Sequence, residues 1–372
     1  MKSFRIPLLS SRGVAMSFLG LCLFSGLDGS SAQADFTFSE PVNVQSEFSL
    51  LDPMTDLTNC FSVDGLEMYF ESPRSGGHGL MDLWVCKRAA VADAWGAPEN
   101  LGPLINSATW DKHAFISADG LQLYFYSFRP GGYGQCDLYV TQRAARTSPW
   151  GLPTNLGPQV NGSSEDFFPS VSPDGLELYF TSVRTDGYGG WDMYVSKRAT
   201  PNDPWGDPVN VGPAVNSPGQ EGWVVFSPDW LLMFFWSDRP GGFSPWGDNY
   251  VARRASRSAP WQPAVNLGSV VNGPVWNAPL GMTADGSALY VFRDPGDGST
   301  LIWKAPILPI VDFNADKKVD IADVFIMLEH WQTDYPLCDI GPYAWGDGIV
   351  DAKDLIVLAE HMANTPADGN AP

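Results

Sequence analysis

The string "SPDGLELYFTSVR" (Ser172 to Arg184) occurs in five versions along the chain, and their even spacing is the strongest constraint on the fold. The other versions read "SVDGLEMYFESPR", "SADGLQLYFYSFR", "SPDWLLMFFWSDR" and a shorter "TADGSALYVFR". Their turn aspartates are Asp64, Asp119, Asp174, Asp229 and Asp285, a period of 55 residues with one step of 56. A unit of that size is too small to bury its own apolar face, so the copies must stack on one another.

The third copy defines the unit. "FFPSVS", "LELYFTS", "WDMYVSKR" and "DPVNVG" are four short runs rich in β-branched and aromatic residues. The turn stretches "PDG", "RTDGYGG" and "TPNDPW" separate them. This pattern predicts a four-stranded antiparallel meander, and radial repetition of such meanders is a β-propeller. Complete units end in a tryptophan-led segment at Trp95, Trp150, Trp205 or Trp261, and the fifth unit lacks it. The N-terminal "FSEPVNV", Phe38 to Val44, nearly copies the missing strand. The expected fold is therefore an all-β, five-bladed propeller over residues 35–309, closed by an N-terminal outer strand, with a small all-α module behind it.

The signature "S-P-D-G-L-x-L-Y-F", followed by "R-x-G-G-x-G" and "D-L/M-Y/W-V", resembles the WD40-like (PD40) repeat of TolB-like propellers. The resemblance covers about residues 36–305. It speaks to fold, since propellers host binding, scaffolding and catalysis alike.

The N-terminus reads as a secretory leader. Lys2, Arg5 and Arg12 precede the apolar "VAMSFLGLCLFSG", and "AQA" places the expected cleavage after Ala34. Export to the extracellular space follows as the expectation. The formal net charge of −20 argues against nucleic-acid partners, and no later segment predicts membrane insertion. Cys60, Cys86, Cys136 and Cys338 fall at unrelated points of the repeat and predict no disulfide framework.

Several series recur in register. Arg74, Arg129, Arg184 and Arg239 follow each turn aspartate by ten residues, with Asp82, Asp137, Asp192 and Asp248 further on. Such Arg–Asp recurrence is expected to be an intrablade tie. Eight residues before each turn aspartate stand Asp56, Asp111, Asp166, Glu221 and Asn277, at the start of every innermost strand. They are the candidate ligand or cation site at one channel mouth, flanked by the unrepeated Trp110 and Trp276; a structural cap between blades is the competing reading. On the same face His78, Tyr133, Tyr188 and Phe243 tip the Gly-rich loops, with Trp191 and Trp246 behind them. Aromatics beside carboxylates suit stacking on sugar rings, although loop packing would use them equally.

After residue 309 the pattern changes. "DFNADKKVDIAD" places Asp312, Asn314, Asp316, Lys318 (through its carbonyl), Asp320 and Asp323 at EF-hand ligand spacing. Ile321, Val324, Phe325, Leu328 and Trp331 then predict one apolar helix face. A second copy offers Asp347, Asp351 and Asp354, but Tyr343 and Trp345 stand at its first ligand positions unless Asp339 swings in. Residues 310–364 thus resemble a type I dockerin domain. That resemblance implies Ca2+ as cofactor, a cohesin-like partner and attachment to an extracellular polysaccharide-degrading assembly. The positions that would meet cohesin hold Ile321–Ala322 and Ala352–Lys353 rather than small hydroxylated residues. The near absence of a linker predicts that the module rests on the propeller, and residues 365–372 are expected to be a disordered tail.

The leading functional expectation is a secreted, non-catalytic recognition or scaffold protein for a polysaccharide or cell-surface glycan. The alternative is a glycoside hydrolase, for which opposed carboxylates such as Asp111 and Glu221 would supply acid and base.

Overall fold

The computed structural model describes residues 36–364 except 295, 298 and 300. The expected leader, its cleavage site and the expected tail lie outside the described residues. Four sheets are consecutive four-stranded antiparallel meanders, and together with a fifth sheet they form the five blades. The inner strands are Leu57–Phe61, Asp111–Ile116, Asp166–Val171, Glu221–Phe226 and Asn277–Met282. Each inner strand adjoins the next, and the fifth adjoins the first.

The outermost strand of blades one to four is only two residues long, for example Glu99–Asn100 and Val209–Asn210. An asparagine side chain continues it. Asn106 accepts from the Leu83 amide at 2.8 Å and donates to the Leu83 carbonyl at 3.1 Å, as another strand residue would. Asn161 and Asn216 repeat this on Leu138 and Met193. In the fifth blade, Phe36–Phe38 and Val42–Asn43 pair antiparallel with Leu301–Pro309.

Blade interiors alternate as the period-two pattern requires. Phe70, Phe125, Phe180 and Phe235 are buried in the middle of the second strands. Each tryptophan that leads the final segment lies under an arginine: Arg88 on Trp95, Arg143 on Trp150, Arg198 on Trp205 and Arg254 on Trp261, 4.0 to 4.4 Å from ring centroid to guanidinium. Cys60, Cys86, Cys136 and Cys338 are buried and unpaired.

The C-terminal segment forms two loop–helix halves with helices Ile321–Glu329 and Ala352–Asn364 around Phe313, Met327, Ile340, Val350 and Leu358. The expected single apolar face on the first helix divides in two. Val324 and Trp331 face this core, while Ile321, Phe325 and Leu328 are exposed on the neighbouring stripe. No helix among the described residues is long and apolar enough to cross a membrane.

Candidate functional site

The acidic series sits where the repeat placed it, at the start of the inner strands, but it does not line an open mouth. Asp56, Asp111, Asp166, Glu221 and Asn277 are all buried. Each caps the backbone amide four residues earlier, at 2.8 Å for Asp52, 2.5 Å for Ser107, 2.9 Å for Gly162 and Ser217, and 2.8 Å for Gly273. Each carboxylate also takes the arginine of its own blade: Arg74 on Asp56, Arg129 on Asp111 at 2.6 Å, Arg184 on Asp166 at 3.3 Å and Arg239 on Glu221 at 3.2 Å.

The expected intrablade tie therefore exists with a different partner. The arginine pairs with the carboxylate eighteen residues before it, not with the aspartate eight or nine after it. Asp82, Asp137, Asp192 and Asp248 instead close the Gly-rich loops. Asp137 accepts from Tyr133 N at 2.6 Å, Gly134 N at 2.9 Å and the Asn155 amide at 2.9 Å. The carboxylate comes so close that a Cβ on Gly187 would lie 2.0 Å from Asp192 Oδ2, which is why these loops need glycine.

Burial raises the carboxyl pKa of Asp166 and Glu221 above the ordinary value. A raised carboxyl is what a general acid requires. Here both side chains are 0 % exposed and committed to protein donors, so neither can reach a glycosidic oxygen.

The loops of this face do present aromatics. Tyr133, Tyr188 and Phe243 occupy equivalent loop tips and are 51 to 56 % exposed; Trp246 is 65 % and Trp110 43 % exposed. His78 is exposed at the corresponding tip of the first blade. Trp276 and Trp191 turn inward instead. Trp276 lies 5.7 Å from Trp223 and stacks on Phe292 at 6.0 Å, while Trp191 lies 5.4 Å from Phe167.

That inward cluster results from a feature the repeat hid. Every inner strand carries a register shift, and in blades two to four the bulge holds His113, Phe168 and Trp223 at φ of 48° to 51°. Bulges re-aim side chains. Here the rings meet from blade to blade, His113 with Phe168 at 4.9 Å and Phe168 with Trp223 at 4.3 Å.

Below this layer the channel is a cavity of 1260 Å³ that reaches the Asp-Gly turns, with walls that include Phe61, Phe115, Phe226 and Met282. No motif singled out these residues. The available signal was the apolar residue three before each turn aspartate: Phe61, Ile116, Val171, Phe226 and Met282.

The two C-terminal loops are built alike. Asp312 accepts from the amides of Asp316 and Lys317, and Asp339 accepts from those of Asp347 and Gly348. Asp323 and Asp354 cap Phe313 and Ile340 in the same way. Asp339 thus stands where Asp312 does, four residues earlier than regular spacing would put it. The extra residues carry Tyr343 and Trp345 to the propeller. Lys317 takes the positive φ of 69° that Gly348 takes at 97° in the second loop. Among the described residues no three His, Cys, Asp or Glu side chains converge closely enough to hold a metal ion. Lys353 instead places its ammonium on Asp347, with Asp351 at 3.8 Å.

No protein-family model and no curated protein matches the chain. Among solved structures, TolB from Acinetobacter baumannii is 14 % identical over 67 % of this chain and 54 % of its own, so this chain spans about half of it, with a TM-score of 0.39. An endo-arabinase from Bacteroides thetaiotaomicron is 14 % identical over 74 % of this chain and 99 % of its own, with a TM-score of 0.47. A putative exo-beta-1,3-galactanase from Bifidobacterium bifidum is 13 % identical over 74 % and 94 %, with a TM-score of 0.44.

Proposed function

We propose that the chain is an exported, non-catalytic recognition protein whose propeller holds a polysaccharide or cell-surface glycan on its aromatic rim. The observation that carries this reading is the contrast on one face of the molecule. The carboxylates that hydrolysis would need are sealed in arginine pairs, while Tyr133, Tyr188, Phe243 and Trp246 stand out in solvent. Flat rings presented at blade-to-blade spacing suit a polymer of sugar rings, because each ring can stack on one residue of the polymer. The ring residues Asp56, Asp111, Asp166, Glu221 and Asn277 then position the loops and do not touch the ligand.

The C-terminal module is assigned to attachment. Its first loop offers oxygen donors only, from Asp312, Asn314, Asp316, Asp320, Asp323 and the Lys318 carbonyl, a set that suits a hard cation such as Ca2+. When bound, the cation would supply the charge that holds these carboxylates together. The exposed Ile321, Phe325 and Leu328 form the stripe that a cohesin-like partner would cover. A panel of plant and microbial polysaccharides, assayed for retention of the protein and for release of reducing sugar, tests the reading. Retention without release supports it. Release of sugar by pure protein would favour the glycoside hydrolase.

A further inference from the structure

We propose that the channel cavity is a second binding site, reached from the Asp-Gly turns, for a phenolic group. It is independent of the rim reading, since no rim residue lines it.

Three observations carry the proposal. First, the cavity is reached from the Asp-Gly turns. Its lining includes Val63, Pro173 and Pro228 at the turns, Phe48, Arg88 and Trp95 beside the fifth and first blades, and His113, Trp223 and Pro279 along the inner strands. The 1260 Å³ volume exceeds that of a usual small-molecule pocket, leaving room for whatever carries the phenolic group.

Second, the walls suit a ring. Phe61, Phe115, Phe226 and Met282 are half-buried along the inner strands, free to gain contact with an aromatic guest. Ser62 and Ser227 are turned away from such a guest, donating to Asp64 at 2.6 Å and to Asp229 at 2.5 Å.

Third, the cavity keeps two polar groups in reserve. His113 and Trp223 line the cavity, and neither the imidazole nor the indole N–H has a hydrogen-bond partner among the described residues. Burial, with Lys112 adjacent, lowers the His113 pKa to about 3, so the ring is neutral and keeps one accepting nitrogen. A phenol hydroxyl is the complement, donating to that nitrogen and accepting from the indole. A plain hydrocarbon ring would leave both groups unsatisfied.

The test measures binding of p-cresol and of toluene to the full chain by calorimetry and by quenching of tryptophan fluorescence. A third arm uses a short peptide amide ending in tyrosine, which separates a free phenol from a peptide side chain as the source. The expected result is saturable 1:1 binding of p-cresol, about tenfold tighter than toluene, the loss of one good hydrogen bond being worth that factor. His113→Asn tolerates the positive φ and should bring the ratio within about twofold. Trp223→Phe, which keeps the ring and loses the N–H, provides the same readout should the first variant fail to fold. Absence of saturable p-cresol binding to folded protein overturns the proposal. So does equal affinity for toluene, or a ratio that survives both substitutions. Tighter binding of the peptide than of p-cresol assigns the site to a tyrosine side chain; the reverse order assigns it to a free phenol.

Discussion

The indole N–H of Trp345, in the C-terminal module, donates to the carboxylate of Asp229, the turn aspartate of the fourth blade, at 2.8 Å. Trp345 is 0 % exposed, stacks on Tyr343 at 5.0 Å and meets Phe36 edge-on at 6.1 Å. Gly286, in the neighbouring turn at φ 73°, leaves room for it; a Cβ there would lie 2.8 Å from the indole. The four extra residues of the second loop thus fasten the module to the propeller. Trp345→Ala should cost about 3–5 kcal/mol and split thermal unfolding into separate transitions. Trp345→Phe, which loses the hydrogen bond, should cost about 1 kcal/mol. Scanning calorimetry of both variants distinguishes this latch from mere proximity, which would leave the transitions unchanged.

Removing the arginine from a sealed pair should hurt more than its surface position suggests. Arg129 also donates to the Ile105 carbonyl at 2.6 Å and covers the Tyr139 ring at 4.7 Å. Arg129→Met leaves Asp111 buried and charged, a loss of about 3–5 kcal/mol in denaturant titration. A loss under 1 kcal/mol would mean that the carboxylate is solvated after all.

Calcium should act on the C-terminal module alone. In the Trp345→Ala background, where the transitions separate, millimolar Ca2+ should raise that of the module, and Asp312→Asn should abolish the rise while the propeller transition stays in place. Lys353→Ala removes the ammonium that sits on Asp347 and should strengthen the response of the second loop. If chelation moves no transition, the loops hold no cation.

His113 gives the propeller an acid sensitivity. Its folded pKa is lowered to about 3 from 6.5, so the unfolded chain binds the proton more readily. The neutral ring's contribution is complete above pH 6.5 and is lost as pH falls from there toward 3, with a slope of at most about 1.4 kcal/mol per pH unit. His113→Asn should flatten the decline in melting temperature between pH 6 and 4 relative to the parent. Parallel curves would place the imidazole in solvent.

The repeat made the architecture legible because turn and strand residues each act locally. The Asp-Gly turns, the four runs per unit and the truncated fifth unit could be read without long-range information. Partner choice could not. Arg129 lies ten residues from one aspartate and eighteen from another, and only the antiparallel pairing of Asp111–Ile116 with Gln122–Ser127 puts it beside Asp111. The bulges were equally hidden, since nothing local marks His113 or Trp223 for positive φ. Asn106, Asn161 and Asn216 recur in perfect register, yet their role depends on an outer strand too short to show as a run. In the second C-terminal loop the insertion displaced the spacing itself, and the contact of Trp345 with Asp229 explains why the chain tolerates it.

The most direct test of the account is polysaccharide affinity measured on Tyr188→Ala and Asp111→Asn beside the parent, with a polysaccharide that retains the parent. Tyr188→Ala should keep the parent melting temperature and lose about tenfold in affinity, one stacked ring being worth about 1–1.5 kcal/mol. Asp111→Asn should melt earlier and, while folded, bind as the parent does. Loss of affinity in folded Asp111→Asn with none in Tyr188→Ala would put the ligand on the acidic ring and contradict the account.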